Sequence, residues 1–140
     1  MRIPAATALV LSALLTACGG GSISPESVVR SWSQALNAGD NERAADLFAP
    51  GARVVQAGRV LVLRTHAQAV RFNAALPCSG KIVGMSTDGD TTTATFLLGN
   101  RPASLCDAPG AEAVAAFRVQ QGKIVLWHQL PEPAPPPTPV

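Results

Sequence analysis

The 140-residue sequence contains no tyrosine, and its other aromatic residues are only two tryptophans and four phenylalanines. Its eleven basic and nine acidic residues nearly balance and form no basic stripe, which excludes a nucleic acid as a partner. No histidine or further cysteine lies at ligand spacing from Cys78 or Cys106, so the sequence predicts no metal site and no cofactor. Because the chain has no internal repeats, this length is expected to form one domain.

The longest apolar run, Ile3 to Ala17, is too short to span a bilayer, since a transmembrane helix needs about 20 residues. The run follows Arg2 and ends in Leu15-Thr16-Ala17-Cys18. This segment resembles a bacterial lipoprotein signal peptide with its Leu-x-Ala-Cys box. The alternative is an ordinary secretory signal that is followed by a cysteine of no special role.

The lipoprotein resemblance implies that residues 1–17 are removed and that Cys18 becomes the lipidated N-terminus, with palmitate as an acyl group. Residues 18–23 would then be a flexible tether, and the domain would be anchored to a membrane of the cell envelope, outside the cytoplasm. Which membrane carries it is left open. At the other end, the Pro-rich residues 131–140 are predicted to form an extended, disordered tail.

Two cysteines remain once Cys18 is set aside, Cys78 and Cys106. Two cysteines in an exported chain indicate one disulfide bond. With a separation of 28 residues, that bond would stabilise the fold by about 3.5 kcal/mol. The alternative is a pair of free, buried thiols.

Apolar periodicity and turn residues predict a single α+β domain over residues 24–130. The predicted helices follow the N-caps Ser24, Asp40 and Thr65, and the second extends to Phe48. The predicted strands are 52–56, 60–63, 81–87, 91–98, 112–120 and 123–130. This order predicts a curved, mostly antiparallel sheet in the form of a cone, with three helices on one face.

Three motifs, in this order of elements, point to a known fold: Ala35-Leu36-Asn37-Ala38-Gly39-Asp40, Leu47-Phe48-Ala49-Pro50, and the segment from Phe117 to Ile124. The chain resembles the nuclear transport factor 2-like superfamily, and most closely its SnoaL-like and ketosteroid-isomerase-like branches. The resemblance covers Ser24 to Leu130 and implies a cone-shaped pocket, often in a homodimer. The superfamily includes isomerases, cyclases, hydrolases and many non-enzymes, so the fold leaves the function open.

The isomerase-like branch works with a tyrosine in the first helix, an aspartate base in the first strand and a protonated aspartate on the penultimate strand. The corresponding positions in this sequence hold Trp32, Gln56 and Ala115. The chemistry needs a carboxylate that takes a proton from carbon and an acidic O–H that stabilises the enolate. None of these three residues exchanges a proton near neutrality. The acidic residues are predicted at caps, turns, loops, helix surfaces and a strand start, so isomerase chemistry of this type is rejected.

The predicted pocket has mostly apolar walls and two polar points. Its candidate residues are Trp32, Phe48, Gln56, Phe72, Phe96, Phe117 and His128. The alternative is that these side chains fill the cone and leave no cavity. A two-residue turn at Gln121-Gly122, which we favour, would place His128 on the face of Ala115, whereas a three-residue turn would direct Trp127 inward.

The leading functional hypothesis is a lipid-anchored, non-catalytic domain of the cell envelope that binds a small apolar ligand or a protein partner. A second hypothesis is an enzyme that uses His128 with Gln56 and Trp32 in the cone. A third is an interaction or dimerisation module that acts through the face of the sheet.

Overall fold

The computed structural model describes residues 23–131 and 137–139. Its elements are α1 (Pro25–Asn37), α2 (Asn41–Asp46), β1 (Phe48–Gln56), β2 (Arg59–Leu63), α3 (His66–Ala75), β3 (Cys78–Asp88), β4 (Thr91–Asn100), β5 (Glu112–Gln120) and β6 (Lys123–Leu130). The predicted signal peptide, Cys18 and most of the predicted tether lie outside the described residues, as does part of the Pro-rich tail. Within the described ranges, no helix combines the length and the apolar character that crossing a membrane requires.

The strands form one sheet in the order β2-β1-β6-β5-β4-β3. Neighbouring strands are antiparallel except for β1 and β6, which are parallel. The register shifts in β1, in β3 and between β5 and β6, and such irregularities bend a sheet. The predicted α+β class, with three helices and a curved, mostly antiparallel sheet, is confirmed.

The helix starts follow from local side-chain bonds, as the sequence predicts. Ser24 Oγ accepts a hydrogen bond from the backbone N–H of Ser27 at 3.1 Å and caps α1. Thr65 and Gln68 form a complete capping box at the start of α3. Gly39 has a φ of 72°, the left-handed conformation that favours glycine after a helix.

Phe48 marks the main error in the predicted boundaries. It was predicted on the second helix, but α2 ends at Asp46 and Phe48 is the first residue of β1, where it pairs with Ile124. The backbone N–H of Ile124 donates to the carbonyl of Leu47 at 2.7 Å, so pairing with β6 replaces the helical continuation. A smaller difference is that β3 begins at Cys78, because Cys78 already pairs with Asn100.

Trp32 lies at the centre of the core and joins α1 to the sheet and to α3. Its ring packs edge-on against the rings of Phe96, Phe117 and Trp127, with centroid distances of 5.9, 5.5 and 6.3 Å. Its Nε1–H donates to Asn73 Oδ1 at 2.8 Å, and Asn73 is fully buried. Replacement of this Trp by an apolar residue without a donor would therefore leave a buried amide oxygen unpaired.

Arg101 is a buried cation whose partners are mainly backbone carbonyls at helix ends. Its guanidinium donates to the carbonyl of Leu36 at the end of α1, and to those of Asn73 and Leu76 at the end of α3. A further bond reaches Asn41 Oδ1 at the start of α2. The negative ends of the α1 and α3 dipoles face the charge, and the side-chain bond to Asn41 adds α2, so Arg101 links the three helices. Burial lowers the pKa of Arg101, although an arginine remains protonated at neutral pH.

Candidate ligand-binding site

A cavity of about 160 Å³ opens at the end of the sheet where β1 and β6 end and β3 begins. It is lined by Trp32, Leu36, Gln56, Leu76, Pro77, Cys78, Ser79, Gly80, Phe96, Leu98, Asp107, Ala113, Val114, Ala115, Trp127 and Gln129. Most of these side chains are apolar, so the cavity is a mainly hydrophobic space with a few polar groups, as small-molecule sites usually are.

Helix α1 is held beside this cavity by polar bonds to β3. The carbonyl of Gly80 accepts from Ser33 Oγ at 2.7 Å and from Asn37 Nδ2 at 3.0 Å, and the N–H of Gly80 donates to Asn37 Oδ1 at 2.8 Å. A Cβ on Gly80 would lie 2.9 Å from Phe96 Cδ1, so only glycine fits here without a shift. These contacts fix the wall that Trp32 and Phe96 form together.

The three positions that correspond to the isomerase-like catalytic residues all line the cavity. Trp32 comes from α1, Gln56 ends β1, and Ala115 lies in β5. The Trp32 indole N–H is already bound to Asn73, and Gln56 Nε2 donates to Gln129 Oε1 at 2.8 Å. The positions that the resemblance indicates therefore do line a cavity, but none of the three side chains there is an acid or a base.

Asp107 is a lining residue that the sequence reasoning assigned only to a loop. It follows Cys106, which forms the predicted disulfide bond with Cys78 of β3. Asp107 Oδ1 lies 3.2 Å from Cys78 Sγ, a contact and not a hydrogen bond, because a disulfide sulfur carries no hydrogen. The predicted disulfide is confirmed. It could have indicated Asp107 as a lining residue, because the residue after a cysteine that is bound to the first residue of β3 must lie near the mouth of the cone.

His128 does not face the cavity, and the prediction that it points inward was wrong. The turn at Gln121-Gly122 has two residues, as we favoured, with positive φ at both. However, Val125 is an extra residue in β6, so the register shifts and Trp127 pairs with Phe117. Trp127 is consequently 5% exposed on the inner face, while His128 lies on the opposite face. There it lines a second depression, which adjoins the cavity and shares these lining residues with it: Leu98, Asp107, Ala113 and Gln129.

Phe48, Phe72 and Phe117 were predicted as pocket walls, but they pack in the core beside the cavity and do not line it. Phe72 lies 5.8 Å from Phe48 and 5.2 Å from Trp127, measured between ring centroids. The two alternatives for the cone are thus both realised in part: the cone is packed shut around these rings and open at its wide end.

A curved sheet with three helices and a cavity at its wide end defines the nuclear transport factor 2-like class of α+β folds. Within this class, the profile of the SnoaL-like domain matches residues 29–127 of the chain. The protein therefore belongs to the SnoaL-like domain family. No curated protein matches the sequence.

Solved structures share the fold at low sequence identity. A candidate polyketide cyclase from Sinorhizobium meliloti is 18% identical, with a TM-score of 0.60 over 74% of this chain and 94% of its own. A candidate ketosteroid isomerase from Kribbella flavida is 22% identical, with a TM-score of 0.61 over 81% of this chain and 82% of its own. A protein with a ketosteroid-isomerase-like fold from Catenulispora acidiphila, solved in complex with trimethylamine, is 18% identical, with a TM-score of 0.59 over 77% of this chain and 86% of its own. Identities this low establish a common fold and leave function open.

Proposed function

We propose that this domain binds a small, mainly apolar molecule and does not transform it. The observation that carries the proposal is the cavity of about 160 Å³ at the wide end of the cone. Aromatic walls from Trp32, Phe96 and Trp127 surround it, and the Gln56–Gln129 amide pair provides polar points. The trimethylamine in the Catenulispora structure supports the idea that this fold can hold a molecule of small size.

Trp127 gives a second reason to expect a ligand. Its Nε1–H is buried and has no hydrogen-bond partner among the described residues. Leaving such a donor unpaired costs about 1–3 kcal/mol. An acceptor atom on a ligand would satisfy it, and because Nε1 is covered, the indole ring would have to shift when the ligand binds.

Binding is favoured over catalysis because the cavity offers little proton chemistry. Proton abstraction next to a carbonyl needs a base within hydrogen-bond reach and a donor for the developing oxyanion. Among the described residues that line the cavity, Asp107 is the only acid or base, and it lies exposed near the mouth. The alternative enzyme, which would use His128 with Gln56 and Trp32, loses its base because His128 faces away from the other two residues.

The ligand proposal predicts a saturable change of tryptophan fluorescence on titration with phenethyl alcohol, a small neutral apolar compound. Both tryptophans of the chain line the cavity, so their emission reports on this site. Ala113→Leu, which adds bulk to the lining, is expected to weaken binding about tenfold or more, equal to at least about 1.4 kcal/mol.

Ala116→Leu is the matched control, since Ala116 pairs with His128 on the opposite face of the same strand. It should leave the titration unchanged. A wild-type titration that rises linearly without saturation, or equal affinities of the two variants, would contradict a ligand site in the cone.

We also propose that lipidated Cys18 holds the domain on a membrane of the cell envelope. The support is the Leu15-Thr16-Ala17-Cys18 box after a short apolar run. Metabolic labelling with an alkyne fatty acid is expected to label the wild-type protein and not Cys18→Ala. Cys78→Ala/Cys106→Ala should still be labelled. Equal labelling of wild type and Cys18→Ala, or no labelling of either, would refute the anchor.

Dimerisation or partner docking through the sheet stays a prediction. Large apolar side chains are exposed on β2, at Val60 and Leu61, and near the other edge of the sheet, at Val83 and Leu97. Because β2 and β3 are the opposite edge strands, these residues form two separate groups and not one continuous patch. We therefore propose small-molecule binding as the main function and rank docking through the sheet face second.

A further inference from the structure

We propose that the ligand of this cavity is an organic cation, an ammonium group on a small apolar body, with Asp107 as its counter-charge. The inference rests on the proposed binding function and adds the sign of the ligand's charge. It depends on the charges that line the cavity, on the way the loop holds Asp107, and on the chemistry of the other lining groups.

Among the described residues that line the cavity, Asp107 is the only charged side chain, and none of the others is a lysine, arginine or histidine. The acidic partners in the salt bridges of the described chain are Glu42, Asp46 and Asp90, so Asp107 takes part in none of these. A lone carboxylate beside an apolar space attracts cations and repels anions. The charge of this site therefore disfavours carboxylate and phosphate ligands and favours a positive one.

The loop that carries Asp107 is fastened on both sides. On one side, Cys106 is bound to Cys78 through the disulfide, and its backbone N–H donates to Asn100 Oδ1 at 2.9 Å. On the other side, the N–H of Gly110 donates to the carbonyl of Leu98 at 2.9 Å. The backbone that presents the carboxylate is thus held in place before a ligand arrives, which reduces the entropy lost on binding.

The remaining lining suits an ammonium group on an apolar body. The faces of aromatic rings attract cations, and the walls include Trp32, Phe96 and Trp127. In the bond between Gln56 and Gln129, each amide uses one of its polar atoms. The oxygen of Gln56 and the NH₂ group of Gln129 remain available for a ligand. If the oxygen and nitrogen positions of both amides are exchanged, one oxygen and one NH₂ group are still available. The free oxygen provides a second acceptor for ammonium hydrogens beside the Asp107 carboxylate.

The test compares three probes of nearly equal shape and different charge by isothermal titration calorimetry at neutral pH: phenethylamine, phenethyl alcohol and hydrocinnamate. Phenethylamine is expected to bind wild-type protein about threefold to fivefold more tightly than the alcohol, the upper part of the range for an exposed ion pair. Hydrocinnamate is expected to bind most weakly. In Asp107→Asn the preference for the amine should disappear, while the affinity for the alcohol stays within about twofold of wild type.

Asp88→Asn is the matched control, because Asp88 is an exposed acid at the other end of β3. It should keep the full preference for the amine. Equal binding of amine and alcohol to wild type, or a preference that survives in Asp107→Asn, would overturn the inference and leave the binding function intact. If none of the three probes binds, both the inference and the proposed function fail.

Discussion

Arg101→Met is expected to lower the free energy of unfolding by about 3 kcal/mol or more. The substitution removes the charged donor of three carbonyls, those of Leu36, Asn73 and Leu76. The first two keep a backbone donor, from Gly39 and Leu76, whereas the carbonyl of Leu76 has no other donor among the described residues. A buried carbonyl left without a partner costs about 1–3 kcal/mol, and each lost hydrogen bond to a charged group costs about 1.5–3 kcal/mol. Methionine retains much of the length of the arginine stem, so the loss reports on the hydrogen bonds more than on packing. Urea denaturation followed by circular dichroism measures the effect.

Arg30→Met is the control for this substitution, because Arg30 is exposed on α1. It is expected to change stability by no more than about 0.5 kcal/mol. Arg101→Lys should fall between the two, since one ammonium group cannot reach the ends of α1 and α3 as a planar guanidinium does. A loss below about 1 kcal/mol for Arg101→Met would contradict the role of Arg101 in joining the helices.

Removal of the disulfide in Cys78→Ala/Cys106→Ala is expected to cost about 3.5 kcal/mol of stability. The bond closes a separation of 28 residues, and chain entropy alone predicts this amount. It also joins the loop after β4 to the start of β3, so its loss should loosen the mouth of the cavity as well. Urea titrations with and without a reductant measure the stability of both proteins.

The reductant itself is the control for this pair of substitutions. It should lower the urea midpoint of the wild-type protein to nearly that of the double variant and leave the variant unchanged. If the wild-type midpoint does not respond to reduction, the stabilising role of the disulfide is wrong. If the double variant also responds, the reductant acts by another route.

Features set by short stretches of sequence were the ones that the sequence predicted well. Thr65 and Gln68 form their capping box from neighbouring residues alone, and so does the turn at Gln121-Gly122. The α+β class followed from the order of such elements. The disulfide between Cys78 and Cys106 followed from cysteine count and the expected compartment.

The errors arose where contacts between distant strands decide the structure. Phe48 continues the helical pattern of α2, yet pairing with Ile124 draws it into β1. Val125 looks like any strand residue, yet as the extra residue of a bulge it exchanges the faces of Trp127 and His128. A bulge depends on the register across the sheet, and one residue of slip turns every later side chain to the other face.

The cavity was predicted in its position and only partly in its lining residues. The family resemblance led to Trp32, Gln56 and Ala115, which all line the cavity. Asp107 and Gln129 were missed, the first because it lies on a loop and the second because the bulge in β6 fixes which residues face inward. The periodicity of apolar residues predicts neither the path of the loop that carries Asp107 nor the bulge in β6.

The central claim is that the cavity at the wide end of the cone holds a small molecule. The most direct test is a proton–nitrogen correlation spectrum of the purified protein during titration with phenethyl alcohol, because the chain has only two indole N–H groups and both tryptophans line the cavity. We predict that both indole signals shift and saturate together, with the larger change for Trp127, whose N–H has no partner in the described part of the chain. Two indole signals that stay fixed while residues around His128 shift would contradict the account.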